Sequence, residues 1–511
     1  MLPLHEPLKA QLLWRRLDLE ARPIDLLDAL GGELAEPPVV SKVEPQDVAL
    51  LESSAVDDRY GQYSILACRP IEVLTLRDGL LRNRRGGVLA ADDEAIWRAL
   101  HQAFAAVHLA AGRRECPYVP GWIGYLGYEL GRHVERLPGR ARRDGLSDDL
   151  RLAFFDALAV YDAMERTWWL AELRFDDPPA GAGQAAATLL GAARIAANQP
   201  PPLDCALDRR LDDVLETDAA DPVLLPAAEA SSNFTPRQYE QAVARAIDYI
   251  AAGDIFQVNL SQRLVVQPCP PPEAIYRALR RRNPAWYAAY LRFPSAAGPC
   301  AIASSSPELF LRLRDGCVTT RPIKGTRPRT GQADQDRAAA ADLWSSPKDN
   351  AELAMIIDLL RNDLGRVCRY GSIRVTEPRT LETHPTVFHL VGTVQGRLRD
   401  GVGPAELLRA TFPGGSITGA PKIRAMEIID ELEGLARGVY TGCVGIVGAD
   451  GGSEWNIAIR TVVCHGNRAM VQVGGGIVAD SQPPAEYRET MDKARALLEA
   501  IAQVQAVRVA P

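Results

Sequence analysis

The chain has 511 residues, which is enough for a large buried core and for two to four domains. Hydrophobic residues make up 47% and charged residues 24%, the balance of a globular enzyme rather than of a disordered or fibrous chain. The net charge of −7, without a Lys/Arg stripe containing aromatic residues, argues against nucleic-acid binding. No apolar run approaches the roughly 18 residues of a membrane helix, and residues 1–22 lack a secretory signal pattern, so we expect a cytoplasmic protein without a membrane partner.

The nine cysteines predict reduced, mostly buried thiols, because they are widely spaced and form no C-x-x-C pair. Cys443 follows a Thr-Gly pair that resembles a nucleophile turn. It lies in a strand-like run without a suitably placed histidine, so we interpret it as structural.

The first part of the chain is predicted to be rich in strands. Short alternating segments with Gly and Asp-Gly turns occur between Val39 and Phe175. From Asp176 to Ser232 the composition shifts to Ala, Pro and Asp, which is typical of a helix followed by a linker. The predicted parts are a sheet-rich region at 1–203, a linker at 204–232 and a second region at 233–505.

The second region mixes helices and strands. Thr235-Pro236 has the cap and first-turn residues of a helix. Further predictions are a strand at 257–264, a helix at 349–363, successive strands at 438–478 and a last helix at 485–502. In the helix at 349–363, apolar residues recur at i, i+3, i+4 and i+7, which places Glu352 at the flank of the buried stripe.

The last helix carries Glu486, Glu489 and Lys493 on one face, directly after the glycines at 474–476. Consecutive glycines let backbone N–H groups approach an anion, and carboxylates beside them suit Mg²⁺. A solvated helix face is the alternative. Glu352 adds a further carboxylate, although Lys348 at i−4 also allows a plain helix ion pair.

Glu308 and Lys324 are further candidates for chemistry. Glu308 follows a Ser-Pro step, and Lys324 stands between an apolar pair and a Gly-Thr turn, a context that favours a desolvated, nucleophilic amine. A helix-terminal charge and a surface lysine are the alternatives. The Gly/Ser/Thr loop at 411–422 has the texture of an anion cradle but not the spacing of a P-loop, which disfavours nucleotide binding.

Taken together, four segments closely resemble the chorismate-utilising enzymes, which include anthranilate, aminodeoxychorismate, isochorismate and salicylate synthases. These segments are 322–326, 358–363, 411–427 and 474–481, with looser similarity at 50–53 and 124–129. The resemblance implies an α/β fold of the α+β type, in which helices surround stacked antiparallel sheets and the two regions are intertwined.

The resemblance also implies roles for the matched residues. Glu352 and Glu489, with Glu486 adjacent, would bind Mg²⁺, which holds the ring carboxylate of chorismate. Glu308 would be the general acid that protonates the departing 4-hydroxyl. The residues implied for substrate binding are Gly325, Thr326, His389, Tyr440, Arg460, Gly474, Gly475, Gly476 and Lys493.

Two positions distinguish the branches of the family. Members that add water at C2 carry a lysine base where this chain has Gln257, and anthranilate synthases typically have Ala where it has Lys324. In the aminodeoxychorismate-forming branch, the lysine amine attacks C2 and ammonia then adds at C4. The resemblance thus implies 4-amino-4-deoxychorismate as the product, for 4-aminobenzoate and folate synthesis. An anthranilate synthase component is the nearer alternative, and a non-catalytic amino-acid sensor is the other.

The sequence shows neither a glutaminase triad nor a lyase domain, so we expect ammonia to come from a separate glutamine amidotransferase subunit. The family's amino-acid effector pocket is matched by Leu51, Glu52, Ser53, Asn283 and Pro284. Trp286 replaces the second proline of the usual Asn-Pro-x-Pro-Tyr pattern, which leaves a permanently filled structural site as the alternative.

Overall fold

The computed structural model describes residues 7–34, 47–112, 114–198, 228–295 and 298–509. Within these residues the strands form two large, almost entirely antiparallel sheets. The first sheet, of 13 strands, has the order β12 (Ala230–Ser232), β13 (Gln257–Val266), β25 (Arg468–Ile477), β24 (Thr461–His465), β15 (Gly298–Ser306), β14 (Tyr287–Ser295), β2 (Val48–Glu52), β3 (Tyr63–Cys68), β10 (Ala157–Asp162), β11 (Thr167–Phe175), β1 (Leu8–Leu17) and β7 (Val107–Leu109), with β21 (Gly419–Ala420) beside β13.

The second sheet has 12 strands within the same described residues. Its order is β18 (Ile323–Pro328), β20 (Val387–Arg397), β17 (Cys317–Arg321), β16 (Leu309–Arg314), β23 (Ser453–Asn456), β22 (Cys443–Gly448), β8 (Gly121–Leu126), β9 (Leu150–Phe155), β4 (Glu72–Arg77), β5 (Leu80–Arg82) and β6 (Val88–Ala90), with β19 (Arg374–Thr383) beside β20.

Helices cover the outer faces of the two sheets, and the inner faces pack on each other. Ile65 and Ile302 of the first sheet meet Ile123, Phe155 and Ile446 of the second in one buried cluster. The helices are α1 (Pro23–Leu34), α2 (Asp93–Phe104), α3 (Gln184–Asn198), α4 (Pro236–Ala251), α5 (Pro272–Arg282), α6 (Ala333–Ser345), α7 (Pro347–Gly365), α8 (Pro404–Thr411), α9 (Lys422–Leu432) and α10 (Pro483–Val509). The predicted stacked antiparallel sheets surrounded by helices are therefore confirmed.

Both regions of the chain contribute strands to both sheets. In the first sheet β2 pairs with β14, with Leu51 opposite Ala289, and in the second β8 pairs with β22, with Gly124 opposite Gly445. On its other side β8 lies close to β9, where a Cβ on Gly124 would lie 2.0 Å from the carbonyl oxygen of Arg151.

Three local predictions need correction. Residues 230–232, which we assigned to the end of the linker, form β12, whereas 204–227 lie outside the described residues. Helix α2 interrupts the predicted run of strands, because Asp92 caps it by accepting from the N–H of Ala95 and Ile96 and Leu100 bury one face. Strand β1 was not predicted because its apolar alternation is irregular.

The cysteines of the described residues are free thiols. Cys443 is completely buried in β22, and burial raises the pKa of its thiol well above the ordinary value, as suits a structural residue. In the same part of the chain, no helix has the length and apolar character needed to cross a membrane.

Candidate active site

Ser416 joins the two residues predicted to perform the chemistry. Its hydroxyl donates to Glu308 Oε1 at 2.6 Å, and its carbonyl oxygen accepts from Lys324 Nζ at 3.3 Å. Glu308 lies between β15 and β16, and Lys324 lies on β18 just before Gly325, where the register against β20 shifts. Gly325 has a φ of +78°, and a Cβ there would lie 2.7 Å from Leu343 Cδ1, so a glycine is needed at this bend.

Desolvation shifts the pKa values of Glu308 and Lys324 in the directions that favour their neutral forms. Desolvation raises the pKa of Glu308 to about 7, although the hydrogen bond from Ser416 and the charge of Lys324 oppose it. Desolvation also lowers the pKa of Lys324, against the opposing carboxylates of Glu352 and Glu308. A protonated carboxyl group and a neutral amine are therefore more accessible near neutral pH than they are in water.

Three carboxylates lie around the same region. Glu352 is on α7, whereas Glu486 and Glu489 are on α10 and flank Gly475 of β25. A Cβ on Gly475 would lie 3.2 Å from Glu486 Oε2 and 3.7 Å from Glu489 Oε1, so the glycine leaves space between the strand and both carboxylates. Lys493 Nζ, which is 2.7 Å from Glu489 Oε1, also donates to the carbonyl of Gly474 at 2.9 Å.

The protonation of these carboxylates differs. Burial raises the pKa of Glu352 and of Glu486, and Ser481 donates to Glu486 Oε1 at 2.6 Å. For Glu489, burial acts to raise the pKa, but the positive charge of Lys493 and of other lysines outweighs it, so the net shift is downward. Glu489 is thus the most readily ionised of the three.

The carboxylates fit a magnesium ion in part. In the described ranges, no group of three or more His, Cys, Asp or Glu side chains is arranged to hold a metal ion. Glu352 also has a cationic neighbour, because Lys348 Nζ lies 3.9 Å from its Oε1. Mg²⁺ needs only one or two protein carboxylates, because water and substrate oxygens complete its shell. Glu486 and Glu489 around Gly475 meet that need, so Mg²⁺ stays a prediction with a suitable donor pair.

The predicted substrate ligands come from several elements. Thr326 of β18 stands opposite His389 of β20, and its Oγ1 is 2.9 Å from His389 Nδ1. Burial and the charge of Arg460 hold the pKa of His389 well below its ordinary value. Arg460 Nη1 donates to Asn283 Oδ1 at 2.9 Å. Burial raises the pKa of Tyr440 to about 12, so it carries its hydroxyl proton.

Side chains at two of the three glycines would collide with the neighbouring strand. A Cβ on Gly474 would lie 2.5 Å from the carbonyl oxygen of Leu260, and one on Gly476 would lie 2.5 Å from Gln257 Nε2. Gln257 is buried, and among the described residues neither polar atom of its amide has a hydrogen-bond partner. The loop at 411–422 was predicted as an anion cradle, but the contacts of its Ser416 with Glu308 and Lys324 were not predicted. Nothing in the local sequence signals the unpaired amide of Gln257.

The predicted effector residues separate into two groups. Leu51 and Glu52 line a small cavity between the sheets, together with Trp286. The carboxylate of Glu52 is engaged by the Tyr276 hydroxyl and by Arg280 Nη2, each at 2.6 Å. Ser53 donates to the carbonyl of Trp286 at 2.7 Å.

Ser53, Asn283 and Pro284 are not among the residues that line this cavity. Asn283 instead contacts Arg460, because the turn after α5 directs its amide towards the substrate ligands. The effector role of the cavity stays a prediction.

Comparison with known proteins identifies the family of this chain. Residues 52–499 match the family described as chorismate binding enzyme. The chain belongs to this family. Aminodeoxychorismate synthase component 1 of Bacillus subtilis is 37% identical over 452 residues, covering 88% of this chain and 91% of that protein. Anthranilate synthase component 1 of Pseudomonas aeruginosa is 39% identical over 476 residues, covering 89% and 90%.

Solved structures support the same assignment. Anthranilate synthase component I from Streptococcus pneumoniae superposes with a TM-score of 0.68 at 30% identity, over 87% of this chain and 94% of that one. The menaquinone-specific isochorismate synthase of Escherichia coli shares the fold, with a TM-score of 0.64 at 18% identity and 97% coverage of both chains. This family member is a chorismate-converting enzyme, and its relatives of similar identity divide between two reactions.

Proposed function

We propose that this chain is the chorismate-handling component of an aminodeoxychorismate synthase. The observation that supports it is the partly buried amine of Lys324, which shares Ser416 with the buried carboxyl group of Glu308. An anthranilate-forming enzyme has no need of a nucleophilic amine at this point. A lysine with a lowered pKa, adjacent to an acid with a pKa of about 7, suits an addition coupled to loss of a hydroxyl group.

The proposed reaction has two balanced stages. The neutral Nζ of Lys324 forms a bond to C2, the ring double bonds shift, and the C4–O bond breaks as Glu308 gives its proton to the departing hydroxyl, which leaves as water. Ammonia then forms a bond to C4, the double bonds return, and the C2–N bond breaks to regenerate the neutral amine of Lys324. The new nitrogen at C4 gives up one proton, which restores the carboxyl group of Glu308. The added nitrogen ends at C4, and the product is 4-amino-4-deoxychorismate.

Other residues are proposed to bind and orient the substrate. Glu486 and Glu489, with Glu352 opposite, would hold Mg²⁺, which when bound neutralises and fixes the ring carboxylate. Arg460, Lys493, Thr326 and Tyr440 are the proposed ligands of the substrate carboxylates. Arg460 is half-buried and Tyr440 is buried, so their interaction with an anionic substrate is screened less than it is in water, whereas Thr326 and Lys493 are exposed.

We infer a separate source of ammonia. The related proteins are named as component 1, which implies a second component, and a glutamine amidotransferase is the partner that this chemistry requires. Ammonium salts at alkaline pH should support turnover by the chain alone, whereas glutamine should not. The cytoplasmic location and the role in folate synthesis stay predictions.

Product analysis tests the proposal. The purified chain is incubated with chorismate, Mg²⁺ and an ammonium salt, and the product is identified by mass and ultraviolet spectrum. We expect 4-amino-4-deoxychorismate from the native chain and a rate lower by several powers of ten from Lys324→Ala. Lys324→Arg is the matched control for charge, because it retains a cation but no neutral amine.

A second candidate is the anthranilate synthase reaction, because relatives of similar identity are named anthranilate synthase component 1. Anthranilate as the product of the native chain, at a rate unaffected by Lys324→Ala, would establish that reaction instead.

A further inference from the structure

A row of rings connects the cavity between the sheets with the candidate active site. The ring centroid of Trp286 lies 4.8 Å from that of His384, and the His384 centroid lies 5.2 Å from that of His389. Tyr60 stacks on Trp286 with centroids 5.5 Å apart. These separations are those at which aromatic rings attract each other, so Trp286 and His384 are in direct contact along the path to His389.

His384 is also fixed by charged neighbours. Its Nε2 lies 3.3 Å from Glu382 Oε2, and Glu382 forms an ion pair with the buried Arg321. The guanidinium of Arg321 lies 3.6 Å from the centroid of Tyr60. The guanidinium of Arg321 contacts both the Glu382 carboxylate and the Tyr60 ring, which fixes Glu382. The His384 ring in turn contacts Glu382 and Trp286.

The end of this path is a histidine with one free nitrogen. His389 is 2% exposed, and Thr326 occupies its Nδ1. In the part of the chain that the structure describes, its Nε2 has no hydrogen-bond partner. A buried polar atom without a partner destabilises the fold, so Nε2 is set up to meet a ligand. Nε2 can meet a ligand only if the ring is correctly oriented, since groups in an active site must be held within about 10–20° of the productive geometry.

We propose that Trp286 and His384 are positioning residues that hold the His389 imidazole with its Nε2 facing the chorismate ring. Neither touches the substrate, and both act through His389. The kinetic part of this inference rests on the proposed function, whereas the orientation of the imidazole does not. The alternative is that the two residues only fill space in the core.

A double-mutant cycle separates these possibilities. Trp286→Leu and His384→Gln should each lower kcat by about 10-fold to 10²-fold, as misplacement of a catalytic group does, with a smaller change in the KM for chorismate. Trp286→Phe should restore most of the rate, because it keeps a ring. In a His389→Asn background, Trp286→Leu should have no further effect. Equal losses in both backgrounds would overturn the proposal.

Nuclear magnetic resonance of histidine provides a readout independent of turnover. The chain has seven histidines, so ¹⁵N-histidine labelling with His389→Asn identifies the His389 signals. Trp286→Leu and His384→Gln should shift or broaden those signals, whereas Trp344→Leu, a matched change at an exposed tryptophan, should not. Unchanged His389 signals in folded Trp286→Leu or His384→Gln would overturn the proposal even if the chain converts chorismate. If Trp286→Leu does not fold, His384→Gln decides the matter alone.

Discussion

At the scale of one residue, the buried carboxyl group of Glu308 should make the stability of the protein depend on pH. Burial raises its pKa from 4.5 to about 7, so the ionised carboxylate is disfavoured in the native state. Protonation of Glu308 in the native state stabilises the fold. This stabilisation is fully present below the pKa of the unfolded chain, 4.5, and is lost as the pH rises through the native pKa of about 7. Glu308→Gln should therefore match the native chain near pH 4.5 but exceed its unfolding free energy by about 3 kcal/mol above pH 8.

The same substitution should reduce turnover, because Glu308 is the proposed general acid and such a group contributes about 10²–10⁴ in rate. It should also remove the limb of the pH–rate profile whose midpoint lies near the pKa of Glu308, about 7. Urea unfolding at both pH values and a pH–rate profile check the prediction. An unchanged stability difference across this range would show that Glu308 is not desolvated as described.

Single residues were predictable from the sequence where the local context carries a signal. Lys324 was predicted to be desolvated from its apolar neighbours and the Gly-Thr turn, and Glu308 was matched by family resemblance. Ser416, which lies 108 residues from Glu308 in the chain, was not predicted, because a contact across that separation depends on tertiary packing. The ring contacts of His384 were missed for the same reason.

At the scale of elements, β25 and α10 together form the candidate magnesium and carboxylate site. A Cβ on Gly475 would meet only the flexible ends of Glu486 and Glu489 and Lys493 Nζ, whereas a Cβ on Gly474 would meet the backbone of β13. Gly475→Ala should therefore raise the Mg²⁺ concentration needed for half-maximal rate by about 10-fold or more while the melting temperature changes little, because it fills the space beside the carboxylates.

Gly474→Ala is the structural counterpart, and it should cost about 1–3 kcal/mol as β25 and β13 are forced apart. Mg²⁺ titration of the rate and thermal unfolding measure the two effects. A Gly475→Ala variant with normal Mg²⁺ dependence would remove Gly475 and its flanking carboxylates from the metal site.

Elements with strong periodicity were predicted closely. The helix predicted at 349–363 is α7, which begins at Pro347 because Ser346 caps it, and the last helix was correctly placed but extends further at its end. Strand partners were not predictable: β2 pairs with β14 more than 200 residues away in the chain, and no local pattern encodes that register.

At the scale of the whole molecule, the two regions share both sheets. If 1–203 and 233–505 are produced as separate chains, each should be insoluble or lack a cooperative unfolding transition, because each exposes the paired edges of β2 and β8 or of β14 and β22. Co-production should recover soluble, assembled protein. Independent cooperative unfolding of either piece, measured by circular dichroism, would show that the shared sheets are not what stabilises the fold.

The most direct test of the proposed function asks whether Lys324 forms a bond to the substrate. The native chain is incubated with chorismate and Mg²⁺ without ammonia, quenched and digested, and the peptide containing Lys324 is analysed by mass spectrometry. We predict that this peptide gains the mass of chorismate less one water, that Lys324→Ala does not, and that added ammonium discharges the adduct as 4-amino-4-deoxychorismate. An unmodified Lys324 peptide, together with normal formation of 4-amino-4-deoxychorismate by Lys324→Ala, would contradict the nucleophilic role.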